Sequence, residues 1–159
     1  MATLTNILKK AQEHADAASF PSARLFGDMQ PLSFQVNTAC NTARKAVRHL
    51  TCVEFEGWED RDKTLDWLIA RCENTAVQLR CIDSKQVEGK EAVMVELSFG
   101  SAGTKHLTGK DYVLTYVLPN FFFHLQSAYA ILRMNGCSSR KGRLLGAVYV
   151  PGSLNSTIG

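Results

Sequence analysis

The chain has 159 residues, a net charge of +3, 45% hydrophobic and 21% charged residues, the composition of one ordinary globular domain long enough for a core without staples. Its mild positive charge is scattered except near Arg140, Lys141 and Arg143, too little for a nucleic-acid footprint, and no segment reaches the roughly 18 apolar residues of a membrane span. Met1 to Ala18 is amphipathic rather than a continuous apolar signal, and the five cysteines (Cys40, Cys52, Cys72, Cys81, Cys137) form no C-x-x-C pair, so a cytoplasmic protein with reduced, mostly buried thiols is expected.

Helical spacing of Leu4, Ile7, Leu8, Ala11, Ala15 and Ala18 predicts a first helix from Thr3 to Ala18, ended by Phe20-Pro21-Ser22. After a loop, Pro31 stands where a first helical turn tolerates proline, and the second helix carries Leu32, Val36, Ala39, Ala43, Val47 and Leu50 on one face. A third, from about Asp60 to Ile82, has Leu65, Leu68, Ile69, Cys72, Ala76 and Leu79 as its stripe, with Asp60, Asp62 and Asp66 suited to the positive end of its dipole. Ala92 to Phe99 then alternates as a strand does, Gly100-Ser-Ala-Gly103 makes a turn, and Thr104 to Thr108 returns as a partner strand. The fourth helix begins near Gly109 to Tyr112 and meets Pro119, which demands a kink or a fresh start. Trp58 and Trp67 read as packing residues. Residues 1–150 form a single domain and 151–159 a flexible tail. The fold class is mainly α: an antiparallel four-helix bundle with a small β-hairpin between helices 3 and 4, and bundles build sites from side chains on facing helices.

The run Leu118-Pro-Asn-Phe-Phe-Phe-His124 and its continuation to Gly136 say the most about a site. From Phe121 to Leu132 the chain is apolar almost all round, which predicts a central helix buried on several sides. Yet Asn120, His124 and Ser127, followed by Ile131, recur at i, i+4, i+7 and i+11 and line one side of it. Polar groups on a buried helix need partners or a cavity. His124 therefore has two readings: a core histidine bonded to Asn120, Ser127 or a backbone carbonyl, or a general acid/base, for which its near-neutral pKa is suited. Gln35, at the edge of its helix's apolar face, either turns inward toward His124 or meets solvent at the rim. Tyr129 and Arg133 continue a second polar strip from Gln126, with Arg133 expected to pair with an acid such as Asp28 or to cap the loop holding Arg24 and Asp28. Those two residues are expected to brace that loop by a charge-assisted hydrogen bond. Phe34, opposite its helix's apolar stripe, points to another element or a subunit interface. The candidate site is thus a catalytic His124 with Gln35, Asn120, Ser127, Tyr129, Arg24, Asp28 and Arg133 as substrate-binding residues. His14, His49, His106 and His124 show no i+3 or i+4 pairing, so no metal site is read from them.

Ser22-Ala-Arg-Leu-Phe-Gly-Asp-Met-Gln-Pro-Leu32, Phe34-Gln-Val36, Asn41-Thr-Ala43, Phe99, Thr108-Gly109 and the Leu118 to Gly136 block together resemble the DUF1993 family, which is similar to the DinB/YfiT-like four-helix bundles. The resemblance runs from roughly Leu8 to Gly146, and the Asn41-Thr-Ala43 version is similar to the fungal branch. The chain departs from the family's pattern at Ala130, where an Asp is usual, at Met134, where a His is frequent, and at Arg140-Lys-Gly-Arg-Leu144. It also looks shortened before Leu4. DinB-like metalloproteins hold a divalent metal with three core histidines, and such bundles often pair through helix faces.

These readings favour a small-molecule-binding bundle that is a cofactor-independent isomerase, cyclase or lyase of fungal secondary metabolism, working by acid/base chemistry on a small apolar organic substrate with no metal or other cofactor. The alternatives are a non-catalytic binding or stress-related module, and a metal-dependent DinB-like transferase or hydrolase by fold analogy. A homodimer is expected, with neither nucleic acid nor membrane as partner.

Overall fold

The computed structural model describes residues 1–57 and 63–137. Trp58, Asp60, Asp62, Arg140, Lys141, Arg143 and the expected tail lie outside the described residues. Helix α1 (Ala2–Gln12) buries Leu4, Ile7, Leu8 and Ala11, the i, i+3, i+4, i+7 stripe that makes an amphipathic helix. It stops six residues short of the expected end, and a 3-10 turn at Ala17–Ser22 follows. Local bonds win there: the Asp16 N–H donates to His14 Nδ1, and Ser19 Oγ donates to the Asp16 carbonyl, an alternative to the helical ladder. Ala15 and Ala18, which continued the apparent stripe, are exposed.

Helix α2 (Leu32–Thr51) starts directly after Pro31 and buries Leu32, Val36, Ala39 and Cys40. It ends on Cys52, held in the left-handed region at φ 60° with its N–H on the Arg48 carbonyl. Helix α3 (Leu65–Arg80) begins at Thr64, whose hydroxyl accepts from the Trp67 N–H at 3.2 Å, so the cap sets its start rather than the acidic run before it. Leu65, Leu68, Ile69 and Cys72 face inward. Strands β1 (Met94–Ser98) and β2 (Thr104–Thr108) pair antiparallel, Met94 opposite Thr108 and Ser98 opposite Thr104. The turn between them uses Gly100 and Gly103, both at positive φ.

The last helix, α4, is a continuous run of three segments: an α turn at Gly109–Asp111, a π-helical segment at Tyr112–Val117, and an α segment at Leu118–Met134. Proline at 119 has no N–H to donate to the turn before it. The chain resolves this by widening that turn, with the Leu118 N–H reaching the Val113 carbonyl, and the Thr115 hydroxyl donates to the Asp111 carbonyl at 2.6 Å. Pro119 therefore falls in the first turn of the α segment, where it is tolerated.

Around the bundle α1 packs between α3 and α4, and α2 packs against α3 and α4, so α1 and α2, joined by residues 13–31, are not principal neighbours. The main core joins all four helices through Leu4, Leu8, Leu32, Val36, Leu68, Cys72, Ala128 and Ile131. A second cluster of Ala46, Val95, Leu97, Tyr112 and Val117 seats the hairpin on the C-terminal half of α2 and on the π segment. No helix among the described residues is long and apolar enough to cross a membrane.

Gly109 marks the tightest approach. A Cβ there would meet the Lys90 carbonyl oxygen at 2.1 Å and a Leu50 methyl at 3.0 Å. Backbone stands in the way, so Gly109→Ala must push α4 off the 90–91 turn, and we expect it to destabilise by about 1–3 kcal/mol in urea unfolding.

Candidate functional site

Helix α4 turns His124, Leu125, Ser127, Ala128, Ile131 and Leu132 to the bundle. Its other side is not covered among the described residues: Phe122 is 48% and Phe123 57% exposed, and Leu118 is exposed as well. The expectation of burial on several sides is corrected. Three consecutive phenylalanines fan over more than half of a helix circumference, and among the described residues the principal helical neighbours of α4 are α1 and α2.

His124 is 8% and Gln35 2% exposed. His124 Nδ1 lies 2.7 Å from Gln35 Oε1, while Gln35 Nε2 donates to the Gln30 carbonyl at 3.0 Å. With its NH2 committed to a carbonyl, the amide turns its oxygen to the imidazole, and an oxygen only accepts; the hydrogen-bond pattern thus assigns the proton to Nδ1. Gln35 takes the inward of its two predicted orientations. The rings of Phe34 and Phe123 stand edge-on to the imidazole at 6.1 and 5.2 Å. Asn120 does not reach His124 but donates from Nδ2 to Thr42 Oγ1 at 2.8 Å. Two polar pairs therefore cross from α2 to α4, one full stripe apart.

The remaining predicted residues scatter. Ser127 is buried on the bundle face, and Tyr129 is half-buried against the main core. Arg24 braces its loop by donating to the Met29 carbonyl, not to Asp28, which is exposed. Arg133 caps its own helix end, donating to the Cys137 carbonyl at 3.2 Å. The expected Arg24–Asp28 and Arg133–Asp28 pairs are corrected: backbone carbonyls freed where helix and loop end compete better than a solvated carboxylate.

A cleft of about 490 Å³ opens between α2, the hairpin and α4. Phe99, Tyr112 and Tyr116 form its aromatic wall: the two tyrosine rings stack at 5.9 Å and 17°, and Phe99 meets Tyr116 edge-on at 5.8 Å. The π segment supplies both tyrosines, and such widened turns are frequent at functional sites. Thr38, Asn41, Thr42, Lys45, Arg48 and His49 of α2 line the opposite side, and Asn120 of α4 and Glu96, Leu97 and Ser98 of β1 also contribute. His49 stands edge-on to Tyr112 at 5.4 Å. Burial, then the charges of Arg48 and Lys45, hold its pKa below the ordinary value, so its ring is neutral near pH 7. The Tyr112 hydroxyl is pushed up to about 12, chiefly by burial and then by Tyr116, and stays protonated.

A second cleft, of about 500 Å³, lies on the other side of α2 against α3. Asn37, Arg44, Lys63, Trp67 and Arg71 line it, and Thr38 and Asn41 belong to both clefts. Arg71 is 6% exposed, donates to Asn41 Oδ1 at 2.6 Å, and lies over the Trp67 ring. Sequence reasoning missed His49, Tyr112, Tyr116 and Phe99. The i, i+4, i+8 spacing of Tyr112, Tyr116 and Asn120 was the available signal; the placement of Phe99 and His49 beside them was not readable from spacing.

The family model described as a domain of unknown function, DUF1993, matches residues 1–142. The chain belongs to the DUF1993 family. Its fold is similar to the crystal structure of a DinB family member from Shewanella denitrificans, at 28% identity and a TM-score of 0.84, over 95% of this chain and 86% of that one. No curated protein matches it. The DinB analogy raises the question of a metal. Among the described residues no group of three or more His, Cys, Asp or Glu side chains gathers to hold one; His14 neighbours Phe20, His49 Tyr112, His106 Glu96 and His124 Gln35. The three-histidine donor set does not fit.

His124→Phe removes the partner of a buried amide oxygen and should destabilise the fold by about 1–3 kcal/mol. Burial holds the His124 pKa below its ordinary 6.5, so protons bind the unfolded chain first: this contribution to stability is complete above that value and is lost as pH falls below it. The melting temperature of the parent protein should therefore drop on acidification, and by less in His124→Phe. Equal acid sensitivity in the two proteins would remove His124 from the account.

Proposed function

We propose that this DUF1993 protein binds a small, mostly apolar organic molecule in the cleft between α2, the hairpin and α4, and acts on it by acid/base chemistry without a cofactor, as an isomerase, cyclase or lyase does. The observation that carries this reading is one cleft that joins an aromatic wall to a neutral, partly buried histidine. Phe99 and Tyr116 offer ring faces and edges to a planar substrate, with the buried Tyr112 stacked behind Tyr116. His49 takes the proton-transfer role that sequence reasoning gave to His124, because His124 lines neither cleft and its Nδ1 is committed to Gln35. A substrate proton beside a carbonyl passes to an imidazole nitrogen of His49, and the electron pair left behind becomes an enolate. Lys45, on the same lining, stabilises that developing charge, while Arg48 is paired with Glu54 at 3.0 Å. Returning the proton to another carbon, or losing a leaving group, completes an isomerisation or an elimination. The Asn41-Thr-Ala43 likeness to the fungal branch supports a place in secondary metabolism.

The test is a thermal-shift and turnover screen of planar carbonyl compounds. Ligands that raise the melting temperature of the parent protein should fail to do so with Tyr116→Ala, and His49→Phe should retain binding while turnover falls by about 10²- to 10⁴-fold. Activity should rise with pH to a plateau at neutrality, since His49 must be unprotonated. Binding without turnover of any candidate, unchanged by His49→Phe, would leave the non-catalytic binding module. Ligands indifferent to Tyr116→Ala would remove the cleft from consideration.

Assembly as a homodimer belongs to the same proposal. Leu118, Phe122, Phe123 and Phe34 expose apolar area on neighbouring parts of α4 and α2, and exposed apolar patches commonly mark association surfaces. Light scattering should give twice the 17.6 kDa chain mass, and Phe122→Lys should return the monomer. A parent protein that is monomeric at micromolar concentration refutes it.

A further inference from the structure

The cleft between α2, the hairpin and α4 has an order along it. The two helices run antiparallel through three contacts: Gln35 with His124, Thr42 with Asn120, and the His49 ring with Tyr112. The last two contacts belong to the cleft lining, with Lys45 of α2 and Tyr116 of α4 between them. From Thr42 to His49 is two helical turns of α2, a rise of about 10 Å. The proposed base therefore stands at one end, aromatic rings in the middle and a polar pair at the other end.

That polar pair is unfinished within the protein. Thr42 is 6% exposed and Asn120 half-buried. Their one hydrogen bond, from Asn120 Nδ2 to Thr42 Oγ1 at 2.8 Å, uses the hydroxyl as acceptor and the amide as donor. The Thr42 hydroxyl proton and Asn120 Oδ1 have no partner among the described residues. Turning the amide over exchanges the roles without changing the count: Thr42 then donates to Oδ1, its own oxygen is free to accept, and Nδ2 is free to donate. Either way the pair offers the cleft one donor and one acceptor side by side. A hydroxyl buried this deeply ordinarily finds a partner, and the cleft is the side from which one can come.

We propose that Thr42 and Asn120 are the specificity-determining pair of this cleft, and that they take a neutral amide with its N–H beside its carbonyl, as in a primary carboxamide or a lactam. Such a group carries a donor and an acceptor on neighbouring atoms, the complement of the pair. A carboxylate or an ester only accepts and would set an oxygen against the free acceptor, and a buried group left unmatched costs more than a bond gains. The proposal rests on the reading of the cleft given above and adds to it the polar head and the length of the substrate. With the head at Thr42 and Asn120 and the body against Phe99 and Tyr116, a planar molecule about 10 Å long brings its other end to His49. Binding energy at the head then positions the reacting carbon.

The probes share a naphthalene body: an acetyl group and a primary carboxamide at opposite ends, the corresponding methyl ester and carboxylate, and the isomeric amide with its two groups on neighbouring carbons. Binding is followed by calorimetry. The parent protein should take the extended amide at least about tenfold more tightly than the ester, the acid or the isomer, a difference of about 1.4 kcal/mol. Thr42→Val with Asn120→Leu removes both partners together, so neither is orphaned; it should lower the amide to the affinity of the ester and leave the ester within about threefold. A pair with a merely structural role would weaken amide and ester alike. Should the double variant fail to fold, Asn120→Asp keeps an acceptor for the Thr42 hydroxyl and leaves only acceptors toward the cleft. It should turn the preference from the amide to the cationic amidine of the same skeleton. Equal affinity of the parent protein for amide and ester, an isomer that binds as well, or a selectivity untouched by these variants while Tyr116→Ala abolishes binding, overturns the polar head and leaves the cleft standing. Binding of no probe, or binding indifferent to Tyr116→Ala, overturns the cleft reading and the head with it.

Discussion

Inside the apolar core of a bundle an amide side chain has few partners, and Gln35 has two that hold it from opposite sides: the Gln30 carbonyl before the start of α2 and the imidazole of His124 on α4. Leaving either end unsatisfied costs more than the bond itself contributes, so the pair admits one axial register between α2 and α4. Thr42 and Asn120 repeat the constraint two turns further along α2 and one turn back along α4. These helices form the most extensive pairing in the bundle, and the hairpin and the π segment are both seated against them. A slip of one turn would separate both polar pairs and would also misplace Tyr116 relative to His49, closing or splitting the cleft. Buried polar pairs of this kind contribute little net stability and much specificity of register.

Helix α2 serves two environments at once. Its inner stripe packs against α3 and α4 through Leu32, Val36, Ala39 and Cys40. Its outer stripe contributes to the two clefts on either side of it, and a helix needs only about a third of its circumference for a core. On the facing side, α4 accommodates Pro119 by a widened turn that places two tyrosines on one wall. A backbone adjustment forced by a missing N–H thus also shapes the site. Cys40 and Cys72, fully buried with their sulfurs 3.8 Å apart, are packing residues where α2 meets α3, as small buried thiols commonly are.

The bundle was legible because its signals are local and redundant. Stripes at Leu4 to Ala11, Leu32 to Ala39 and Leu65 to Cys72 recur at helical spacing, and the strand alternation around Val95 and Leu97 matches their burial. The end of α1 was misread because Ala15 and Ala18 carry too little apolar surface to distinguish a buried stripe from an exposed turn. Phe121 to Phe123 were misread for the opposite reason. Hydrophobicity told that they avoid water, but a helix with neighbours on one side only cannot bury all three. For the site, the polar stripe of α4 correctly singled out Asn120 and His124 as residues needing partners. Gln35 turned toward His124 was one of two readings the sequence left open, and nothing in it pointed to Thr42 as the partner of Asn120.

The order of amphipathic segments, the proline signals at Pro31 and Pro119, and the hairpin between the last two helices were determined by the sequence alone, since each depends on residues within a turn or two of one another. Membership in the family followed from motifs distributed along the same chain. The cleft was decided only by tertiary structure. Phe99, His49, Tyr112 and Asn120 come from the hairpin, from α2 and from two segments of α4, and nothing in their spacing brings them together. Their meeting depends on how far α2 and α4 slide along each other and on where the hairpin seats. Those quantities are set by long-range packing and by two buried hydrogen bonds, which no local pattern encodes.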